Sequence, residues 1–531
     1  MPKVYKYRVH PSVGVARLGP SSETFDGPEA PNEDFVPPLM PLLFGSRYRD
    51  AAGSIRRQVA VFRVFEYEYP NTVEAAKVAG APSRIREITM NQAKIRWTVE
   101  VANLKSLDDA GVKAPIKAPA KSLSTKNAAL TDLKGDYNKG TPPLVPVLLA
   151  QIGTDAAGRL RVLAGKGDSK SPSGKPMPNY DVNPGWHDDI CDGPVKATVD
   201  FTGMPGAPAG VTGVQPAQPA WVVTAVPDFA HALEPVISLY DMAYSIAVTK
   251  FSFPSRSAKP SFRHDIYAIL HKAMMAHWSV DRLQSLYAIS DFHHFEPASF
   301  GDAAFRALGA ARLANLKDPD KTAGSAPQLK RQNVFDKLKN PVGASTGDMP
   351  LLNRTLPIVA GDVQPITPFH YKLFKQWSIG NFHDDFASPV TPPSQPELLD
   401  QAHMKSMVGG AFSPGIEVCS RARADATWSG PFRIDDSLPP GSLTEKLAIP
   451  WQADFYDCAT QDNQEWWPSH RLMKVLPGAA ASYTGFVDWA PYRGFQDMVD
   501  YWNELGFLRP KTVGADKLLT LSEPDTPFKP P

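Results

Sequence analysis

The chain has 531 residues, 43% hydrophobic and 21% charged, so it can bury a large core and exceeds the size at which single cores usually stop growing. With 56 basic and 55 acidic residues the formal charge is +1, which gives no electrostatic case for nucleic acid or an anionic membrane surface as a partner. No run approaches the roughly 18 apolar residues of a membrane span, and the opening Met1-Pro2-Lys3-Val4-Tyr5-Lys6-Tyr7-Arg8 lacks the apolar core of a secretory signal; the expectation is a soluble protein, cytoplasmic or exported without a cleavable Sec signal.

Fifty-three prolines are about twice the usual share, a density that interrupts long helices and is tolerated at loops, strand starts and sheet edges. In chain order, the first hundred residues read as strands: 59–67 and 95–101 carry β-branched and aromatic residues in partial alternation. Residues 145–165 and 193–225 add short strands, with an exposed, turn-rich loop over 166–185 between them. After Pro227 the spacing of apolar residues predicts helix over 228–250, 264–290 and 300–317. The polar segment 318–350 reads as a surface excursion, and 367–380 and 395–408 read as helix again. No internal repeat of 20–50 residues is present. The expected fold class is α+β, a β-rich N-terminal lobe over 1–225 and a mixed, mainly helical C-terminal lobe over 226–531 that carries the active site.

Three cysteines, Cys191, Cys419 and Cys458, cannot all pair, and no CxxC spacing suggests zinc. His293-His294-Phe295-Glu296 has no second ligand pair at HExxH spacing and reads as a structural loop; no metal is expected. Trp186-His187-Asp188-Asp189-Ile190-Cys191-Asp192-Gly193-Pro194-Val195 reads as a tight turn that positions backbone, because a calcium loop needs more carboxylates at regular spacing. Nothing resembles a flavin or phosphate loop, nor a lysine motif for pyridoxal phosphate.

The most informative stretch is Trp451-Gln452-Ala453-Asp454-Phe455-Tyr456-Asp457-Cys458, followed by Trp466-Trp467-Pro468 and Met498-Val499-Asp500-Tyr501-Trp502-Asn503-Glu504-Leu505-Gly506-Phe507. Asp454 and Cys458 stand at i and i+4, on one face of either a helix or a strand. From the residues alone this is an aromatic-rich core with a buried thiol. The block nevertheless resembles the maturation site of the cysteine tryptophylquinone oxidases, the family of lysine epsilon-oxidase and glycine oxidase, with its D-x-x-x-C motif. The resemblance runs along most of the chain: His10-Pro11-Ser12-Val13-Gly14-Val15-Ala16-Arg17-Leu18-Gly19, the Trp186–Val195 motif, Gln376-Trp377 and Gly409-Gly410-Ala411-Phe412-Ser413-Pro414-Gly415 follow in the family's order. Cys191 departs from the serine of the family's D-D-x-S-D-G-P-V motif, and this chain is shorter than well-known members.

The resemblance implies a cysteine tryptophylquinone cofactor, a crosslink between Cys458 and Trp502, with Trp467 as the alternative ring and Trp466 and Trp489 more remote. It also implies Asp454 as general base, a role that burial among aromatic rings would favour by raising a carboxyl pKa. Cys191 and Cys419 are expected to be packing residues, and His470 and Arg471 either bind a substrate carboxylate or cap the aromatic cluster. The implied reaction is oxidative deamination of an amino acid or other primary amine with dioxygen, giving aldehyde or oxoacid, ammonia and hydrogen peroxide. A companion flavoprotein for cofactor maturation is the implied partner, and a homo-oligomer is compatible. Two alternatives stay open: a cofactor-free binding or interaction protein of the same fold, and a quinone-dependent amine dehydrogenase; a glycan-binding β-rich protein explains the aromatic content but not the motif order.

Overall fold

The computed structural model describes residues 2–31, 48–204, 206–229, 231, 234–255, 258–275, 313–343, 366–388, 393–410, 416–460, 474–475, 487–488, 494–505, 507, 509–513 and 516–522. The main strands are β1 (Val4–His10), β2 (Val13–Arg17), β3 (Arg57–Tyr69), β4 (Lys94–Val99), β5 (Thr131–Tyr137), β6 (Val145–Thr154), β7 (Leu160–Ala164), β8 (Asp192–Asp200), β9 (Val214–Gln218) and β10 (Ala220–Ala225). Among the described residues they belong to one 15-stranded sheet, with the order β1-β9-β8-β10-β2-β3-β7-β6-β5. Because β1 also pairs antiparallel with β3 along its whole length, Val4 opposite Tyr69 to His10 opposite Arg63, the first six strands of that order close into a circuit and leave no edge. The long β3 is nearly continuous in buried residues, as expected for a strand covered on both faces.

The helices are α1 (Leu239–Phe251), α2 (Ala268–Met275, preceded by a π-helical turn over Phe262–Tyr267), α3 (Ala326–Asp336), α4 (Pro368–Ser378), α5 (Gln395–Lys405), α6 (Trp451–Thr460) and α7 (Phe495–Tyr501). Prolines start helices here as well as ending them: α3, α4 and α5 each have Pro in the first two positions behind a Ser or Thr N-cap. The helix expected from 228 begins only at Leu239, where Ser238 and Asp241 form a capping box; Pro235 bars an earlier start. The helix expected over 264–290 is observed to Met275, and the remainder lies outside the described residues, as do 301–312 and His293-His294-Phe295-Glu296. The segment 318–350 is not purely a surface excursion, since α3 buries Arg331 and Val334. Loop 166–185 is exposed over much of its length, but Gly167, Ser169 and Asn183 are buried.

One hydrophobic core runs through sheet and helices alike, from Tyr7 and Trp97 to Trp377, Trp451 and Phe507. Helix α5 is fastened to the first two strands by polar groups. Asp400 accepts from the Ser12 N–H at 2.6 Å and from His10 Nδ1 at 2.9 Å, and His403 Nδ1 accepts from the Val15 N–H at 3.1 Å. Burial pushes the His10 pKa down, so its Nε2 is an acceptor, matched to the Tyr67 hydroxyl and Arg433 guanidinium, each at 3.0 Å. The Asp400→Ala variant leaves His10 Nδ1 and the Ser12 N–H buried without their acceptor, and should lose about 3 kcal/mol of unfolding free energy with an unchanged m-value in urea titration. A loss within about 0.5 kcal/mol would show that this network is not a structural fastening.

Candidate active site

Asp454 lies in the first turn of α6 and Cys458 one turn later on the same helix. The Asp454 side chain is 2% exposed. The side chain of Cys458 lies outside the described residues, as do Trp466, Trp467, His470, Arg471 and Trp489. Trp502 closes α7, is 6% exposed and opens a short 3-10 turn. The turn is tied down from the N-terminal region: Arg49 donates to the carbonyls of Asn503 and Leu505, each at 2.7 Å, and the Ile55 N–H donates to Asn503 Oδ1 at 2.9 Å.

Helices α6 and α7 meet through aromatic rings. Trp451 packs edge-on against Trp502 with centroids 5.1 Å apart at 76°, and against Phe455 at 5.3 Å and 79°. Tyr456 meets Phe495 at 4.6 Å. Trp502 is thus packed, through Trp451, on the helix that carries Asp454 and Cys458. Trp451 Nε1, buried beside Trp502, has no hydrogen-bond partner among the described residues.

Loop 165–169 also packs against Trp502. Gly167 has φ +84°, and a Cβ there would fall 2.2 Å from Trp502 Cζ2 and 2.7 Å from Cη2. No side chain can occupy that point while the ring stays where it is. The loop is clamped at both ends of Gly167. Its N–H donates to Asp189 Oδ2 at 2.8 Å, joined by the Asp168 N–H at 3.1 Å, and its carbonyl accepts from Gln452 Nε2 on α6 at 3.3 Å. Ser169 Oγ donates to Gln452 Oε1 at 2.7 Å, and Ser169-Lys170 pairs with His187-Asp188 as a short ribbon.

Asp188 Oδ2 accepts from the first backbone N–H of α6, at Trp451, at 3.1 Å, and from the buried Lys105 ammonium at 2.5 Å. A helix N-terminus leaves such N–H groups without an intrahelical partner, so the carboxylate fixes where α6 starts. Next to it Asp189 is buried, and its Oδ1 has no partner among the described residues. Burial, then the neighbouring Asp188 charge, pushes the Asp189 carboxyl up to about 8, against the pull of the Asp168 and Gly167 N–H groups. Burial likewise pushes His187 down to about 4.

Sequence reasoning missed Gly167, Asp189 and Gln452 as site residues. The signal for Asp189 was in view, in a motif read as a tight turn; for Gly167 the only signal was a glycine in a turn-rich loop. Among the described residues no group of three or more His, Cys, Asp or Glu side chains is placed to hold a metal ion.

The N-terminal domain model of L-lysine epsilon oxidase matches residues 10–224, and the C-terminal domain model of the same enzyme matches residues 346–476. The chain belongs to the L-lysine epsilon-oxidase family. It is an oxidoreductase of that type. It is 25% identical to the L-lysine 6-oxidase of Marinomonas mediterranea, over 85% of this chain and 71% of that one. Two solved structures of the L-Lys epsilon-oxidase of Marinomonas mediterranea share the fold at 18% identity. One, a Schiff base intermediate with L-Lys, has a TM-score of 0.68 over 98% of this chain and 95% of that one; another has a TM-score of 0.69 with the same coverage. The C-terminal family match includes the Asp454–Cys458 motif and ends before Trp502.

The protonation of Asp189 has a measurable consequence. A carboxyl titrating at about 8 in the native state and near 3.8 when unfolded makes the native state hold an extra proton between those values. Stability must then fall as pH rises through this window, by at most about 1.4 kcal/mol per pH unit. Asp192, pushed up to about 6 by burial, adds a slope of the same sign below pH 6. Urea unfolding of wild type and Asp189→Asn between pH 6 and 8 should therefore show wild type losing stability relative to the variant. Parallel profiles would mean that Asp189 is ionised in the folded protein.

Proposed function

We propose that this protein oxidatively deaminates the primary amine of a free amino acid, using a cysteine tryptophylquinone made from Cys458 and Trp502. The observation that carries the reading is the packing of Trp502 on the D-x-x-x-C helix through Trp451, at 5.1 Å between ring centroids. Residues and group fit. The tryptophan is almost fully buried, the cysteine-bearing helix lies against its helix, and a glycine rather than a side chain faces two adjacent benzo-ring carbons.

The quinone supplies a two-electron sink that no ordinary side chain offers. The chain's own residues do the rest. Asp454, buried on α6 one turn before Cys458, takes the substrate's α-proton, and the aromatic wall of Trp451 and Phe455 excludes water around it. His470 and Arg471 are the proposed contacts for a substrate carboxylate. Amine, dioxygen and water yield carbonyl product, ammonia and hydrogen peroxide. Substrates in this reading extend from glycine to the lysine side-chain amine named for the Marinomonas relative. A companion flavoprotein, with dioxygen as oxidant, matures the cofactor.

Formation of one C–S bond and two C=O groups adds two oxygens and removes four hydrogens, a gain of about 28 Da on intact mass, with Cys458 and Trp502 peptides joined. Peroxide release from an amino-acid panel should vanish in Cys458→Ser and fall by at least about 100-fold in Asp454→Ala, with circular dichroism unchanged. Full oxidase activity in Cys458→Ser would sink the quinone assignment. Cofactor present but no peroxide with any primary amine would favour a dehydrogenase.

A further inference from the structure

Gly167 stands out because two hydrogen bonds hold it against the Trp502 ring. Its N–H is bonded to Asp189 and its carbonyl to Gln452, so its Cα has no freedom to withdraw from the ring. Its φ of +84° is one that glycine adopts without strain. The ring atoms it faces, Cζ2 and Cη2, are adjacent benzo carbons, and Trp451 packs on the same ring at 76°. Asp189 makes no other described hydrogen bond than those to the Gly167 and Asp168 N–H groups, although it is 1% exposed. A buried carboxyl retained for two loop amides points to the loop's position as what it secures.

We propose that the 165–169 loop, fixed by Asp189, is the template that sets the Cζ2–Cη2 edge of Trp502 in place for conversion to the quinone. This rests on the cofactor reading above and goes beyond it by assigning maturation to residues outside the Asp454, Cys458 and Trp502 set. Gly167 contributes the absence of a side chain, and Asp189 is a positioning residue that acts through the backbone of Gly167. An added Cβ displaces the ring from its place beside α6, and loss of the Asp189 acceptor lets the loop move off the ring.

The test is the mature fraction, read by intact mass and peptide mapping, of full-length chains co-expressed with the companion flavoprotein in air. Wild type should carry the gain of about 28 Da. Gly167→Ala should fold by circular dichroism yet show a mature fraction lower by about tenfold or more. Gly174→Ala is the control for backbone strain alone, since Gly174 has φ +65° with nothing within 4 Å of its Cβ position, and it should mature like wild type. Asp189→Ala should mature poorly, and Asp189→Asn, which keeps an oxygen acceptor for both amides, should restore maturation; this pair carries the test if Gly167→Ala fails to fold. Full maturation of a folded Gly167→Ala, or equal maturation of Asp189→Ala and Asp189→Asn, overturns the template. Absence of the mass gain in wild type would instead overturn the cofactor reading, and the template with it.

Discussion

Everything around the site depends on three carboxyls buried within five residues, Asp188, Asp189 and Asp192. Each serves a different neighbour. Asp188 accepts from Asn103, Lys105, the Ile190 N–H and the first N–H of α6. Asp189 accepts from the loop under Trp502. Asp192 accepts from the Trp221 indole, from the N–H groups of Leu443 and Thr444 and from the Thr444 hydroxyl. One short segment at the start of β8 thus fixes the helix of Asp454, the seat of Trp502 and the chain that leads into α6.

Such a cluster is unfavourable unless its charges are managed, because an isolated buried carboxylate costs far more than any single hydrogen bond returns. Three different solutions appear side by side. Asp188 is paired with a lysine that is itself fully buried and whose remaining bond goes to the Ala448 carbonyl. Asp192 is surrounded by four donors, which offset burial enough to hold its pKa at about 6. Asp189 has no cation in hydrogen-bond contact, and burial beside Asp188 pushes its carboxyl up to about 8, toward the neutral acid. Two full negative charges thus do not have to coexist at adjacent positions, and the proton on Asp189 is the price of keeping the segment compact.

The sequence made the sheet, the motif order and the aromatic C-terminal block legible, because strands such as 59–67 and 95–101 carry local patterns that depend little on distant contacts. Helix starts were legible where a cap and proline coincide, as at Thr367-Pro368, and missed at Ser325-Ala326-Pro327 because the surrounding polarity suggested a surface loop while Arg331 turns inward to bond the carbonyls of Asp318 and Asp320. Within the candidate site, Asp454 and Trp502 were singled out by a resemblance of motif, whereas Gly167 could not be. Its role comes from contact between residues 335 positions apart in the chain, and no local pattern encodes where a distant ring will lie. Asp189 fell between these cases: its motif was noticed, but the reading as a turn missed that its carboxyls face inward and are bonded across the site.

The two other cysteines show how the chain restricts where sulfur chemistry can occur. Cys191 and Cys419 are both fully buried, and burial raises both thiol pKa values. The thiolate is the reactive form of cysteine, so neither is disposed to oxidation or crosslinking at neutral pH. Cys191 Sγ instead contacts the Leu149 carbonyl and the Thr224 hydroxyl, each at 3.5 Å, and fills the place at which the family's motif has serine, another small group able to bond the same partners. The departure from the motif at this position is therefore a packing change within the sheet. It leaves Cys458, on the helix whose first N–H is held by Asp188, as the cysteine proposed for the crosslink.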